Sequence, residues 1–118
     1  MSRRRSAIET KLAEAAPVFA ALGDSTRLLV IARLCRDGPR SITSLSAGAN
    51  VTRQAITKHL HALAHAGLVR GRSQGRERIW ELQPERLEAA HRCLDEISAQ
   101  WDAAIGRLKA FVEEPPPR

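Results

Sequence analysis

Between Thr52 and Ala66 one helical face gathers the groups that pair with base edges and phosphates. Ile56, Leu60 and Leu63 recur at spacings of four and three residues, the inward stripe of an amphipathic helix. At about 100° per residue, the opposite side carries Gln54, Lys58, His61 and His65. Thr57 lies on its flank and Arg53 at its N-terminal tip. Amides, hydroxyls and cations in this arrangement match the donors and acceptors of a major groove and its phosphates. The helix N-terminus adds partial positive charge for a phosphate. A solvated surface helix commonly carries Glu–Lys pairs, whereas no acid occurs from Val51 to Gly75. His59 falls toward the inward stripe and is expected to be a packed, hydrogen-bonded core residue.

A second set follows directly. Arg70, Arg72 and Arg78 flank, and Arg76 lies within, Ser73-Gln74-Gly75-Arg76-Glu77, a hairpin turn. If the flanking strands alternate, these arginines cannot all point inward. Arg suits phosphates and narrow minor grooves, so Arg72, Gln74, Arg76 and Arg78 are the candidate contacts of this hairpin. Trp80 is expected to pack in the core at its base. Aromatics are few and none is interleaved with the basic residues, which disfavours single-stranded nucleic acid.

These residues need a scaffold, and the pattern supplies one. A first helix is expected over about Ile8–Ala16, broken or restarted at Pro17. Asp24 is a suitable N-cap for a helix burying Leu28, Leu29, Ile31 and Leu34 and stopping at Gly38-Pro39. A short helix over Thr43–Ala47 turns Ile42 and Leu45 inward, and Gly48–Asn50 forms a turn. Thr52 caps the polar-faced helix, and Gly67 ends it. Leu68–Arg72 and Arg78–Leu82 read as short strands. Pro84 suits the first turn of a long last helix reaching about Glu113. The order is mainly α with a small β-hairpin. A short helix, a turn, a second helix and a basic hairpin make a helix-turn-helix with a wing.

The 118 residues suit one domain of modest core. Lys and Arg number 19 against 13 acids, a balance that favours a polyanionic partner. Six basic residues and one acid lie between Val51 and Trp80, whereas eight acids and five basic residues follow from Glu81. The expected organisation is a disordered basic N-terminus over 1–7, a DNA-binding domain over 8–83, a dimerisation helix over 84–113 and a disordered tail over 114–118. No apolar run could span a membrane, no secretory signal is visible, and two cysteines make no disulfide framework. The cytoplasm is the expected compartment. Enzyme chemistry has no support, because no Gly-rich phosphate loop and no nucleophile–base pattern occurs. No cofactor is implied.

The last helix carries a strict apolar repeat. Leu87, Leu94, Trp101 and Leu108 are seven residues apart, and Ala90, Ile97, Ala104 and Phe111 form a second such series. This is a heptad seam over about four heptads. A helix of about 29 residues spans about 43 Å, more than so small a domain can cover. Leu87, Leu94, Ile97, Trp101, Ala104, Leu108 and Phe111, with Ile8 and Leu12 of the first helix, are therefore the candidate dimer interface. Packing on the chain's own first helix accounts for only part of that length. The alternative function is a dimeric coiled-coil adaptor whose basic face binds an acidic protein.

Three stretches give the chain a recognisable cast: ALGDSTRLLVIARL (Ala21–Leu34), VTRQAITKHLHALAHAGLV (Val51–Val69) and RGRSQGRERIWEL (Arg70–Leu82). Together they resemble the ArsR-type family of bacterial winged helix-turn-helix repressors. The resemblance implies that Thr52, Arg53, Gln54, Thr57, Lys58 and His61 lie on the recognition helix. It implies a homodimer on a near-palindromic double-stranded operator, and repression relieved by an effector that the sequence does not name. Metal-sensing members carry Cys-x-Cys where, aligned on Leu45, this chain has Ser41 and Thr43. Hydroxyls do not replace thiolates for soft metals. A second family site on the last helix finds only His91, Cys93 and Asp95 here, too few for a closed metal site. Cys35 and Cys93, beside Arg36 and Arg92, form either a redox pair or two buried small hydrophobes.

Overall fold

A computed structural model of the chain describes residues 7–48 and 50–113. The expected segments over 1–6 and 114–118, and Ala49 of the expected turn, lie outside the described residues. The elements are α1 (Ala7–Leu22), α2 (Ser25–Asp37), β1 (Arg40–Ser41), α3 (Ile42–Ser46), α4 (Arg53–His65), β2 (Val69–Gln74), β3 (Glu77–Leu82) and α5 (Pro84–Glu113). Ala7, assigned above to a disordered arm, is the first residue of α1.

Side-chain caps set several boundaries. Asp24 accepts from Arg27 N at 3.0 Å and starts α2. Ser41 accepts from Ser44 N and Thr52 from Ala55 N, each at 3.1 Å, and these start α3 and α4. Each such bond satisfies an amide that the first helical turn leaves unpaired. The core joins Val18 of α1, Val30, Ile31 and Leu34 of α2, Leu45 of α3, the Ile56–Leu60–Leu63 stripe of α4, and Trp80.

Three expectations need correction. Pro17 neither breaks nor restarts the first helix; it sits inside a continuous α1. Proline there removes one helical hydrogen bond, but Ala15, Val18 and Ala21 on either side are buried at 2%, 1% and 7% exposure. Tertiary packing holds the turn that local propensity would interrupt. In α2, Leu28 and Leu29 are exposed at 51% and 46%, while Val30 is buried. Three consecutive apolar residues cannot share one stripe, and the inward one runs through Arg27, Val30, Ile31 and Leu34. Arg27 belongs there because its guanidinium bonds Ala21 O at 3.3 Å and His59 Nδ1 at 3.2 Å. Finally, the strands are longer than expected, and the five-residue hairpin loop shrinks to two residues.

The sheet is antiparallel with order β1-β3-β2. β2 and β3 pair from Val69↔Leu82 to Gln74↔Glu77, so only Gly75 and Arg76 turn the chain. Gly75 has φ +63°, and no non-glycine residue has positive φ among the described residues. That combination is the type II′ hairpin turn, whose twist matches the flanking strands. β1 was not expected: its two residues pair Arg40↔Trp80 and Ser41↔Ile79, too short a run to show periodicity.

α5 divides into two parts. Its first half packs on α1, with Ala90 and Cys93 buried, and Lys11 Nζ lies 3.3 Å from Glu96 Oε2. Beyond it, every residue from Ile97 to Glu113 is exposed. At 30 residues the helix is about 45 Å long. No single helix among the described residues is long and apolar enough to cross a membrane.

Candidate nucleic-acid interface

α4 presents the face its periodicity predicts. Ile56, Leu60 and Leu63 are at most 1% exposed, which turns Gln54, Lys58, His61 and His65 to the surface, with Arg53 exposed at the first turn. Neither Arg53 nor Lys58 has an ion-pair partner among the described residues. Two hydroxyls of the expected set are partly committed. Thr52 caps the helix through Oγ1, and half-buried Thr57 donates to Arg53 O at 2.8 Å.

The two histidines near the middle of α4 have different tasks. His59 turns inward, as expected of a packed residue, with a side chain only 21% exposed. Its Nδ1 accepts from Arg27 Nε at 3.2 Å and lies 3.9 Å from Asp24 Oδ1. An accepting Nδ1 leaves the ring proton on Nε2. Asp24 is held below the usual carboxylate range, first by the Arg27 backbone N–H, with the Thr26 backbone N–H and the Arg27 charge acting in the same direction. One hydrogen-bonded chain thus ties the cap of α2 to the middle of α4.

His61 is exposed, yet its ring meets Trp80 edge-on, with centroids 5.7 Å apart and planes at 86°. Arg78 Cζ lies 5.3 Å from the same indole, within cation–π range. The indole is 2% exposed and so serves as a rigid spacer between helix and hairpin. Its Nε1 has no hydrogen-bond partner among the described residues. Gly71 is the pairing partner of Trp80. A Cβ at residue 71 would stand 2.6 Å from Arg78 Nε, so the missing side chain makes room for Arg78 across the strand.

The four hairpin arginines are not equivalent, which counting them could not show. Arg70 and Arg72 share one strand face. Arg70 donates to Glu81 Oε1 from Nη2 at 2.8 Å and from Nε at 3.1 Å. Arg72 Nε lies 3.6 Å from Glu81 Oε2, and its Nη1 donates to Gln74 Oε1 at 3.0 Å. These cations hold the Glu81 carboxyl below its usual range, the Arg70 hydrogen bond contributing most. Arg76, in the turn, and Arg78 have no such carboxylate partner among the described residues.

Arg76 and Arg78 meet Arg53 at a depression of about 280 Å3, together with Glu77, Ser41, Ile42 and Thr43. Helix start, short helix and hairpin tip therefore present one basic surface. Ser41 and Thr43, which stand where metal-sensing relatives carry thiols, border this surface. Their nearness to Arg53 depends on how α3 folds against the hairpin, which no local spacing encodes.

Elsewhere, His91 Nδ1 and Asp95 Oδ2 are 3.5 Å apart and exposed, and no group of three potential metal ligands occurs among the described residues. Cys35 is exposed and Cys93 buried, so the picture of two buried cysteines fails for Cys35. Of the apolar seam, Leu87 is half-buried against the chain's own core. Leu12, Leu94, Ile97, Trp101, Leu108 and Phe111 are 40%, 48%, 43%, 65%, 63% and 76% exposed. Ala104 is exposed and Ile8 half-buried. Ile105 and Val112, outside the heptad series, add 45% and 72% exposed apolar side chains.

A family profile described as a helix-turn-helix domain matches residues 22–72. The HTH-type transcriptional regulator Rv2034 of Mycobacterium tuberculosis is 35% identical over 93 residues, covering 79% of this chain and 83% of the relative. An ArsR-like transcriptional regulator from Rhodococcus sp. RHA1 is 40% identical with a TM-score of 0.71, over 87% of this chain and 96% of its own. The homodimeric winged helix-turn-helix domain of Mb0332 from Mycobacterium bovis is 23% identical with a TM-score of 0.62, over 85% of this chain and 91% of its own. This last likeness is one of fold, that of a winged helix-turn-helix.

Proposed function

This chain belongs to the ArsR family of HTH-type transcriptional regulators, and from that premise we propose that it is a homodimeric repressor reading a near-palindromic double-stranded operator. One observation carries the reading: the exposed, acid-free face of α4 stands beside a wing tip whose arginines lack acidic partners among the described residues. Gln54 and His61 supply base-edge contacts in the major groove, with Thr57 at its edge. Arg53, Lys58 and the amides at the Thr52 end of α4 hold phosphates. Arg76 and Arg78 reach the adjacent backbone or minor groove, and Arg72 and Gln74 flank them on the outer strand face.

Dimerisation rests on α5 and α1. An apolar strip from Leu94 to Val112 is left uncovered within one chain, and a second copy offers the same strip in return. Two-fold symmetry then places two α4 helices one helical turn of DNA apart. Ser41 and Thr43 occupy the places of the family's Cys-x-Cys thiols, so a soft metal held by that pair is not the trigger of this reading. A regulator of this type works in the cytoplasm.

The test is selection of bound fragments from a random DNA library, followed by affinity measurement at rising salt. A recovered inverted repeat, bound about 10³-fold more tightly than random DNA, supports the reading. Equal affinity for all sequences overturns it in favour of a basic adaptor surface. Fusing the recovered site to a reporter tests the sign: expression should rise when the chain is absent.

A further inference from the structure

The end of α4 opposite the wing borders a second feature that the DNA reading does not use. A depression of about 540 Å3 opens where the second half of α1, the end of α4 and the start of α5 meet. Its volume falls within the range of small-molecule sites. Its lining includes the small apolar residues Pro17, Ala20 and Ala62, and its polar side chains are Arg27, His65 and Arg86. No acidic residue lines it.

The two arginines leave donors available. Arg27 commits Nε to His59 and one Nη1 proton to Ala21 O, which leaves protons on Nη1 and Nη2. Arg86 has neither an ion pair nor a hydrogen bond among the described residues. Its aliphatic stem crosses Gly67, so closely that a Cβ there would stand 3.1 Å from Cγ. This contact places the Arg86 side chain at the rim. Two guanidiniums and an imidazole without an acid favour an anion. The exposed apolar part of the lining is better covered by hydrocarbon than by the hydration shell of an inorganic ion.

We propose that this depression binds a small organic anion, a carboxylate on a short apolar body, and that its occupancy changes DNA affinity. The coupling has a physical route. The depression touches α1 and α5, which carry the uncovered apolar strip, and α4, which carries the polar face. Arg27 already links the end of α1 to His59 in the middle of α4. A carboxylate taking its remaining donors pulls on that link. The second half of the proposal rests on the DNA reading; the first half does not.

Titration calorimetry on the full chain, without DNA, tests the site with octanoate and with octan-1-ol as its neutral counterpart. Octanoate should bind once per protomer and at least about tenfold more tightly than octan-1-ol. Arg86→Glu should weaken octanoate at least about tenfold, and Ala20→Phe, at an exposed position, should abolish binding by filling the depression. Equal binding of acid and alcohol, or no effect of either variant, overturns the site in favour of adsorption on the apolar face of α5. In a second arm, saturating octanoate should shift affinity for the selected DNA fragment about fivefold or more. Site-specific binding with unchanged DNA affinity overturns the coupling and leaves the DNA reading intact. Failure of the protein to select any DNA overturns that reading while calorimetry still decides the site.

Discussion

α4 and α5 are both amphipathic helices with one face left uncovered, and the two faces are opposite in chemistry. The open side of α4 is polar and free of acids; the open side of α5 is apolar from Leu94 to Val112. Water solvates the first at little cost and penalises the second, at about 25 cal/mol per Å2 of apolar surface. Polar groups on α4 await a partner with matching donors and acceptors, which confers selectivity. Apolar groups on α5 await any complementary apolar surface, which confers assembly. The two are coupled because a dimer sets the spacing between its two reading helices.

That contrast can be broken most severely at Trp101, which is 65% exposed in the single chain. Trp101→Glu should yield monomers and lower affinity for a two-half-site fragment by about 10²-fold or more, through loss of linkage. Light scattering that still finds dimers would sink the seam assignment. Gln54→Ala comes next: it should lose about 1–3 kcal/mol mainly at one base position, leaving the others unchanged. A uniform loss across all positions in a binding-profile assay would remove Gln54 from direct reading. Lys58→Ala should weaken all sequences alike and lower the salt slope by about one. A shifted sequence profile instead would make Lys58 a base contact.

The smallest effect is expected where the wing restrains itself. Glu81→Gln removes the carboxylate that engages Arg70 and Arg72, and should raise affinity for random DNA a few-fold at low salt. Unchanged affinity would mean that these two arginines stay away from the backbone. The pH dependence follows from the lowered Glu81 carboxyl. A depressed carboxylate contributes above the ordinary range and loses that contribution as pH falls through its lowered value. Wing pairing should therefore be flat from about pH 6 to 8, and salt-dependent binding that changed across that window would remove Glu81 as its cause.

Much of the scaffold was legible because it depends on neighbours in sequence. Asp24 and Thr52 cap the helices that follow them, and a side chain reaching an amide three residues ahead needs no distant partner. The 3-4 spacing of Ile56, Leu60 and Leu63 likewise determines which side of α4 is wet. The errors fell where two distant segments compete for one residue. Pro17 stays helical because its flanking residues are buried. Leu28 and Leu29 lose the inner face of α2 to Val30 and to the hydrogen-bonded Arg27. β1 exists only because β3 offers an edge to Arg40 and Ser41.

The same division runs through the candidate interface. Residue order alone settled that an acid-free polar helix precedes a basic hairpin and that a heptad-patterned helix follows, since periodicity is a local property. Tertiary structure decided which of those groups remain free. Glu81 engages Arg70 and Arg72 across the strand pair, Trp80 stands between His61 and Arg78, and α1 covers the first half of α5 but not the second. Each depends on side chains brought together by chain reversal. The energy of such a contact belongs to a pair of residues, and the spacing along either segment does not contain it.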